Sequence, residues 1–410
     1  GSEMCIRDSN SLHKIANVKS YKLPKKWSGF IAYTYDKTPL KQNNKLKDSI
    51  NSEKGYPLII RDLKTNKEDT IPFVTNYTFA KEGMVLSYST SGLKDSINPG
   101  IYIKNLKTNS SKQIHISHEK TKYFKLNLSN SGDKLAFVKD ADSTKTYQRP
   151  YELYLWDSSQ KNSKLILDMD SSPDGYKVSP YGDIKFSKNE SKLYFGLGLP
   201  EIVQDTLLLD EEIVNVEVWT YDEPRLYTVQ EKQIENDMKK SFQTVYHIKD
   251  DKLIQIATKE FPIATLSDEG NSDYALISNP EPYQLSSQWT ALFSMNDLAV
   301  MNIKNGNSKI AIKSNPSTAR FSPEGEYAFG YNQVDSTWYT YNIKTSKYTE
   351  LTKGKVFYDE LNDSPDYPRS YGLAGWTKND RKILIYDRYD IWEFNPDDAT
   401  SRRSVSYTHL

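Results

Sequence analysis

The sequence predicts an all-β fold built from repeated four-stranded antiparallel units, and three observations lead there. A strand-plus-turn element returns along the chain, a second element returns upstream of it, and the composition is rich in aromatic residues that favour strands. The first element is a β-rich run ending in Asp or Asn, then Leu or Ile, then Lys and a polar turn. Its copies are Ile60-Arg61-Asp62-Leu63-Lys64-Thr65, Ile103-Lys104-Asn105-Leu106-Lys107-Thr108, Val300-Met301-Asn302-Ile303-Lys304-Asn305 and Thr340-Tyr341-Asn342-Ile343-Lys344-Thr345. A looser copy is Tyr154-Leu155-Trp156-Asp157-Ser158-Ser159. Each is a hairpin signal, because Asn, Asp, Ser and Thr tolerate turn geometry and bond to their own backbone.

The second element is an aromatic residue or Leu, a small residue, a polar turn and an apolar strand. The clearest copies are Phe321-Ser322-Pro323-Glu324-Gly325 and Leu128-Ser129-Asn130-Ser131-Gly132. Others begin at Phe79, Phe186, Leu266 and Trp376, with a degenerate first copy near Phe30. The intervals are 49, 49, 58, 80, 55 and 55 residues. Two hairpins per interval give four strands, the content of one β-propeller blade of the WD40-like kind. The expectation is a β-propeller of about seven four-stranded antiparallel blades, its first blade open to being incomplete. The long interval requires an insertion, placed at about 200–242. Within it, Ile234, Met238 and Phe242 stand four apart, as on one face of a short helix over Val229 to Phe242, or along a hairpin arm. The Asx residues 62, 105, 302 and 342 are expected at equivalent third-strand ends, capping their turns, with Leu63, Leu106, Ile303 and Ile343 buried between blades.

Tyr 30, Phe 14 and Trp 7 supply the strand formers, and Lys+Arg 54 balances Asp+Glu 54. A balanced charge implies neither a nucleic acid nor an anionic membrane as partner. No run approaches the length of a membrane span. The ends, Gly1-Ser2-Glu3-Met4-Cys5-Ile6-Arg7-Asp8-Ser9 and Ser404-Val405-Ser406-Tyr407-Thr408-His409-Leu410, resemble translated adapter sequence flanking a metagenomic reading frame. The expected organisation is therefore a tail at 1–9, a propeller domain at 10–400 and a tail at 401–410, with the chain a fragment. Cys5, the only cysteine, then lies in a tail, so the native part has no thiol for a disulfide, a metal site or a nucleophile.

The repeats, together with Trp219-Thr220-Tyr221-Asp222-Glu223-Pro224-Arg225-Leu226 beside the insertion, resemble the N-terminal propeller of prolyl oligopeptidase-type (S9) serine peptidases. The dipeptidyl-aminopeptidase and acyl-aminoacyl-peptidase relatives of Bacteroidetes are the nearest in kind, and the likeness runs from about Asn17 to Asp398. The resemblance implies a propeller that gates and sizes peptides for a C-terminal α/β-hydrolase domain, which would carry a Ser-Asp-His triad and is absent here. It implies a bacterial periplasmic or cell-envelope location and leaves oligomerisation open. A stand-alone periplasmic scaffold propeller of the Tol-associated type is the alternative, and a propeller lyase or glycosidase comes third.

No catalytic, cofactor-binding or metal residue is assigned, and the substrate-binding residues are left open. A nucleophile elbow needs Gly-x-Ser-x-Gly. Ser272 and Ser308 have Gly two residues before, but Tyr274 and Ile310 stand two residues after. His115 and His118 have metal-ligand spacing only on a helix, and their segment reads as strand and turn. They, like His13, His247 and His409, read as surface or blade-edge residues. Asp210-Glu211-Glu212 resembles the paired glutamates that hold a peptide N-terminus in dipeptidyl peptidases but lacks the aromatic lead-in, so it reads as a solvated loop. Asp133, Asp140 and Asp157 have no calcium-loop spacing. Trp338-Tyr339-Thr340-Tyr341 reads as a strand buried on both faces rather than a stacking platform.

Overall fold

A computed structural model describes residues 4–8, 11–35, 54–92, 97–142, 144, 147–201, 220–290 and 295–405. The chain divides into two compact units, Gly1–Phe186 with Phe195–Gln204, and Ser187–Tyr194 with Asp205–Leu410.

In the first unit β1 (Met4–Asp8) and β2 (Ser11–Ile15) form a hairpin. Then β3 (Val18–Lys22), β4 (Phe30–Tyr35), β5 (Tyr56–Asp62), β6 (Glu68–Phe79), β7 (Val85–Thr90), β8 (Gly100–Asn105) and β9 (Ser110–Ile116) pair in chain order as one antiparallel sheet. This sheet is two blades sharing a strand. The 12 residues of β6 pair with β5 up to Val74 and with β7 from Val74 onward. Phe73, beside the changeover, holds a left-handed backbone (φ 57), which is costly for a bulky residue. The first blade has all four strands. Phe30 opens its second strand, whereas Phe79 closes a first strand, so the degenerate copy of the motif lies upstream of Phe30. The third blade is β10 (Lys122–Leu128), β11 (Lys134–Asp140), β12 (Tyr151–Asp157) and β13 (Lys164–Leu167). The short strands β14 (Lys177–Val178) and β15 (Lys185–Phe186) come next, and β16 (Lys192–Gly198) runs across the division between the units.

In the second unit the fourth sheet continues from β16 through β17 (Phe242–His247) and β18 (Lys252–Gln255). Three complete sheets follow, each a meander in chain order. They are β19 (Ile263–Leu266), β20 (Tyr274–Asn279), β21 (Asn296–Asn302) and β22 (Ser308–Asn315); β23 (Arg320–Phe321), β24 (Tyr327–Asn332), β25 (Thr337–Asn342) and β26 (Tyr348–Glu350); and β27 (Leu373–Trp376), β28 (Ile383–Tyr386), β29 (Ile391–Phe394) and β30 (Ser401–Val405). Counting the shared β6 twice, the described strands make seven antiparallel blades, six of four strands and the fourth of five because both β14 and β15 pair with β16, the expected fold class. The last strand, β30, lies within 401–410. Among the described residues, no helix is long and apolar enough to cross a membrane.

The repeats work through local side-chain bonds. At the end of the third strand in five blades an Asx oxygen accepts from the turn backbone two residues on: Lys64 N to Asp62 (2.8 Å), Lys107 N to Asn105 (2.9 Å), Ser159 N to Asp157 (3.0 Å), Lys304 N to Asn302 (2.9 Å) and Lys344 N to Asn342 (3.1 Å). The seventh blade uses Asn395 in the same way, toward Asp397 N at 3.1 Å. In the fourth, His247 takes the Asx place, and its buried Nε2 lies 2.7 Å from the Ile303 carbonyl oxygen. Leu106, Ile303 and Ile343 are buried, and each joins a cluster formed with the preceding blade, while Leu63 is half-buried against Ile15 and Val18. The Ser motif closes the turn between first and second strands. Ser129, Ser187, Ser322 and Thr377 hydroxyls accept from the backbone N five residues on, at 3.2, 3.0, 3.0 and 2.9 Å.

Residues 227–238 form helix α1 (Tyr227–Met238), which buries no residue. Phe242 is not on it; it opens β17 and is 1% exposed. Of the two readings, helix or hairpin arm, the helix holds, but it starts two residues earlier and ends four residues earlier than read. A second helix, α2 (Gln284–Thr290), sits between β20 and β21. Gln288 ties the two segments together, its Nε2 donating to the Pro224 carbonyl (2.8 Å) and its Oε1 accepting from Leu226 N (2.6 Å).

Candidate functional site

Function in a blade repeat sits where the repeat is interrupted, since connecting loops can vary without disturbing the sheets. The Ser turns and Asx turns, at one end of each sheet, are short. Five long connections join second to third strands, at 36–55, 91–99, 141–150, 199–241 and 280–295, and another, 351–372, joins the last strand of the sixth blade to the first of the seventh. A meander puts these at the opposite end of the same sheet.

In the first unit one of them forms a cleft of about 620 Å³, lined by Ala141, Asp142, Gln148, Pro150, Glu152 and Met169. Strand pairing builds it. Asp140 faces Tyr151 and Lys139 faces Glu152 across β11 and β12, so the connection leaves and returns on charged residues. Arg149 clasps its base: Nε and Nη2 donate to Asp140 Oδ2 at 2.9 and 2.5 Å, Nη2 to the Asp142 carbonyl at 2.9 Å, and Nη1 to Asp142 Oδ2 at 3.3 Å. Asp140 is 3% exposed, a burial that a carboxylate tolerates only when paired in this way. Glu152 Oε2 receives Lys139 Nζ at 2.8 Å and the Tyr154 hydroxyl at 3.1 Å. Burial pulls the Lys139 pKa down, but its bonds to Glu152 and Tyr154 outweigh that and leave it above the usual lysine value. Burial pushes the Tyr151 phenol up to about 12. Lys177, buried beneath, pairs with Glu201, whose carbonyl also accepts from Gln148 Nε2 at 3.0 Å.

The residues weighed from sequence fall elsewhere. His115, on β9, is half-buried rather than at the surface. Its Nδ1 is 2.8 Å from Ser163 Oγ, and its ring lies against Tyr123, Phe137 and Tyr154. Burial, and secondarily the Lys139 charge, lowers its pKa to about 4. His118 is exposed in the loop that follows β9, and His247 is buried in the Asx place. His115 fits the blade-edge part of that reading, since β9 ends its sheet and alternate residues of a strand face the neighbouring sheet, whereas His247 lies on β17, inside its sheet. Ser272 serves a turn, its Oγ accepting from Tyr274 N at 3.1 Å, and Ser308 begins β22. Trp338, Tyr339, Thr340 and Tyr341 are all buried, as the strand reading requires. Among the described residues, no group of three or more His, Cys, Asp or Glu is placed to hold a metal ion. Asp210, Glu211, Glu212, Trp219 and His409 lie outside the described residues, as does the side chain of His13. Glu152 and Met169 were missed in the sequence, since neither belongs to a motif and only β12 and β13 bring them together.

No family model matches the chain, and no curated protein matches its sequence. Among solved structures, it is similar to the β-propeller domain of the trilobed protease from Pyrococcus furiosus (TM-score 0.36, 13% identity, covering 95% of this chain and 99% of that one). It is also similar to Porphyromonas gingivalis dipeptidyl peptidase 4 (0.37, 12%, 91% and 51%) and to TolB from Acinetobacter baumannii (0.30, 15%, 81% and 66%). The chain spans about half the length of that peptidase, 51%. Likeness at this level says nothing of activity.

Proposed function

We propose that the chain is the non-catalytic propeller portion of an S9-like serine peptidase, which admits and sizes peptides for a C-terminal α/β-hydrolase domain. The observation that supports this most is the distribution of insertions: five of the long connections join second to third strands, one of them carrying a charged cleft. Such a scaffold can select ligands by shape and charge without itself breaking bonds. The sequence resemblance around Trp219 to Leu226 supplies the peptide class and the partner domain. Chemistry would rest with the partner, through a serine, a histidine base and an oxyanion hole.

The test is to join the chain to the hydrolase domain encoded downstream of it and compare substrates of graded length. Short chromogenic peptides should turn over, and a folded protein bearing the same cleavable sequence should survive. Equal cleavage of both, or a stop codon in place of the downstream domain, would defeat the proposal and leave the periplasmic scaffold reading standing.

A further inference from the structure

We propose that Asp174 is a site of backbone modification, at which the folded chain forms isoaspartate, while the pair Asn305-Gly306 is shielded by its turn. Sequence chemistry alone ranks the two sites the other way. Glycine has no Cβ, so its amide nitrogen reaches the side chain of the residue before it most freely. The chain holds one Asn-Gly pair, Asn305-Gly306, and one Asp-Gly pair, Asp174-Gly175. A side-chain amide gives up ammonia more readily than a carboxylate gives up water. In an unfolded chain Asn305 therefore reacts first.

The fold reverses that order. Asn305-Gly306 lies in the Asx turn between β21 and β22. Gly306 N donates to the Asn302 carbonyl oxygen at 2.8 Å, and Asn305 Oδ1 accepts from Asn307 N at 2.9 Å. The attacking nitrogen and the group it must attack are both held in other bonds. The backbone bond belongs to the repeat, since Ser346 N to Asn342 O (2.9 Å) and Ala399 N to Asn395 O (3.0 Å) match it. Asp174-Gly175 lies between β13 and β14, in a turn closed by Tyr176 N on the Pro173 carbonyl oxygen at 2.9 Å. Both residues are exposed. Neither the Gly175 amide nor the Asp174 carboxylate has a hydrogen bond among the described residues. Beyond the chain neighbours, no heavy atom lies within 4 Å of where a Gly175 Cβ would stand.

The step balances with water alone. Gly175 N attacks Asp174 Cγ and loses its proton, and one carboxyl oxygen leaves as water, closing a succinimide ring. Water then breaks one of the two ring C–N bonds. Breaking the bond to Cγ restores aspartate. Breaking the bond to the backbone carbonyl carbon leaves the main chain running through Cγ, as isoaspartate. At Asn305 the same attack would expel ammonia.

The experiment ages the full 410-residue chain in neutral buffer, folded and in guanidinium. Peptides are then mapped by mass spectrometry and by Asp-N protease, which cuts at aspartate but not at isoaspartate. In the folded chain, isoaspartate at 174 should build up faster than Asn305 loses its amide, and in guanidinium the order should reverse. Folding should slow amide loss at 305 by about a hundredfold, the ratio for breaking two hydrogen bonds at the upper end of their net strength. Asp174→Glu should abolish the product at 174, because the longer side chain closes the ring poorly. Amide loss at 305 outpacing isomerisation in the folded chain, or no isoaspartate at 174, would overturn the assignment. The comparison of folded and unfolded chains needs no variant, and its outcome is independent of the peptidase reading.

Discussion

At the residue scale, two side chains show how position overrides type. Gly83 looks like a turn glycine, yet its backbone needs no left-handed conformation. What it provides is close approach: a Cβ there would stand 1.8 Å from the Ser131 carbonyl oxygen of the next blade's turn. Glu82 N and Gly83 N already bond the Asn130 carbonyl at 2.8 and 3.2 Å. Gly83→Ala should therefore overpack a backbone contact and cost about 1–3 kcal/mol, read as a lower urea midpoint with unchanged slope. An unchanged midpoint would mean the turns are not in contact. His115 gives a pH prediction. Its folded pKa of about 4 lies below the roughly 6.5 of an unfolded histidine. The unfolded chain then binds the extra proton between those values, so this stabilisation is full above about 6.5 and is lost as pH falls toward 4. NMR should find the His115 ring neutral at pH 5, and His115→Gln should flatten the stability profile over that window. A His115 resonance titrating near 6.5 would contradict the packing described.

At the element scale, the strands were legible because their signals are local. An Asx or Ser oxygen that bonds backbone two to five residues away leaves its mark within one short window. The blades that escaped the pattern did so for identifiable reasons. His247 replaces Asx in the fourth, and Pro396 replaces the Leu or Ile after Asn395 in the seventh. The doubled use of β6 leaves no sequence trace, since it reads only as one long strand. The helix end was misplaced because Phe242 continues the fourfold spacing of Ile234 and Met238 by coincidence, and burial assigns it to β17. A 12-residue helix with no buried residue draws little stability from packing. Ile234→Lys and Met238→Lys, at 59% and 64% exposure, should each change stability by less than about 0.5 kcal/mol. Phe242→Ala should cost about 3–5 kcal/mol. Thermal unfolding of the three variants compares them directly; a large loss from either lysine would show that the helix face is covered.

At the scale of the whole molecule, the repeated blades follow from the sequence, and the cleft does not. Blades recur and so advertise themselves, whereas Asp142, Glu152 and Met169 are joined only by strand pairing and carry no shared motif. On the proposed reading this chain selects without breaking bonds, and the two serines weighed as nucleophiles, Ser272 and Ser308, serve a turn and a strand. The measurement that meets this most directly is treatment of the purified full-length chain with a fluorophosphonate serine probe, alongside dipeptidyl and acyl-aminoacyl chromogenic substrates. The account predicts no labelled serine and turnover at the buffer rate. A labelled serine in this chain, with turnover above the buffer rate, would contradict it.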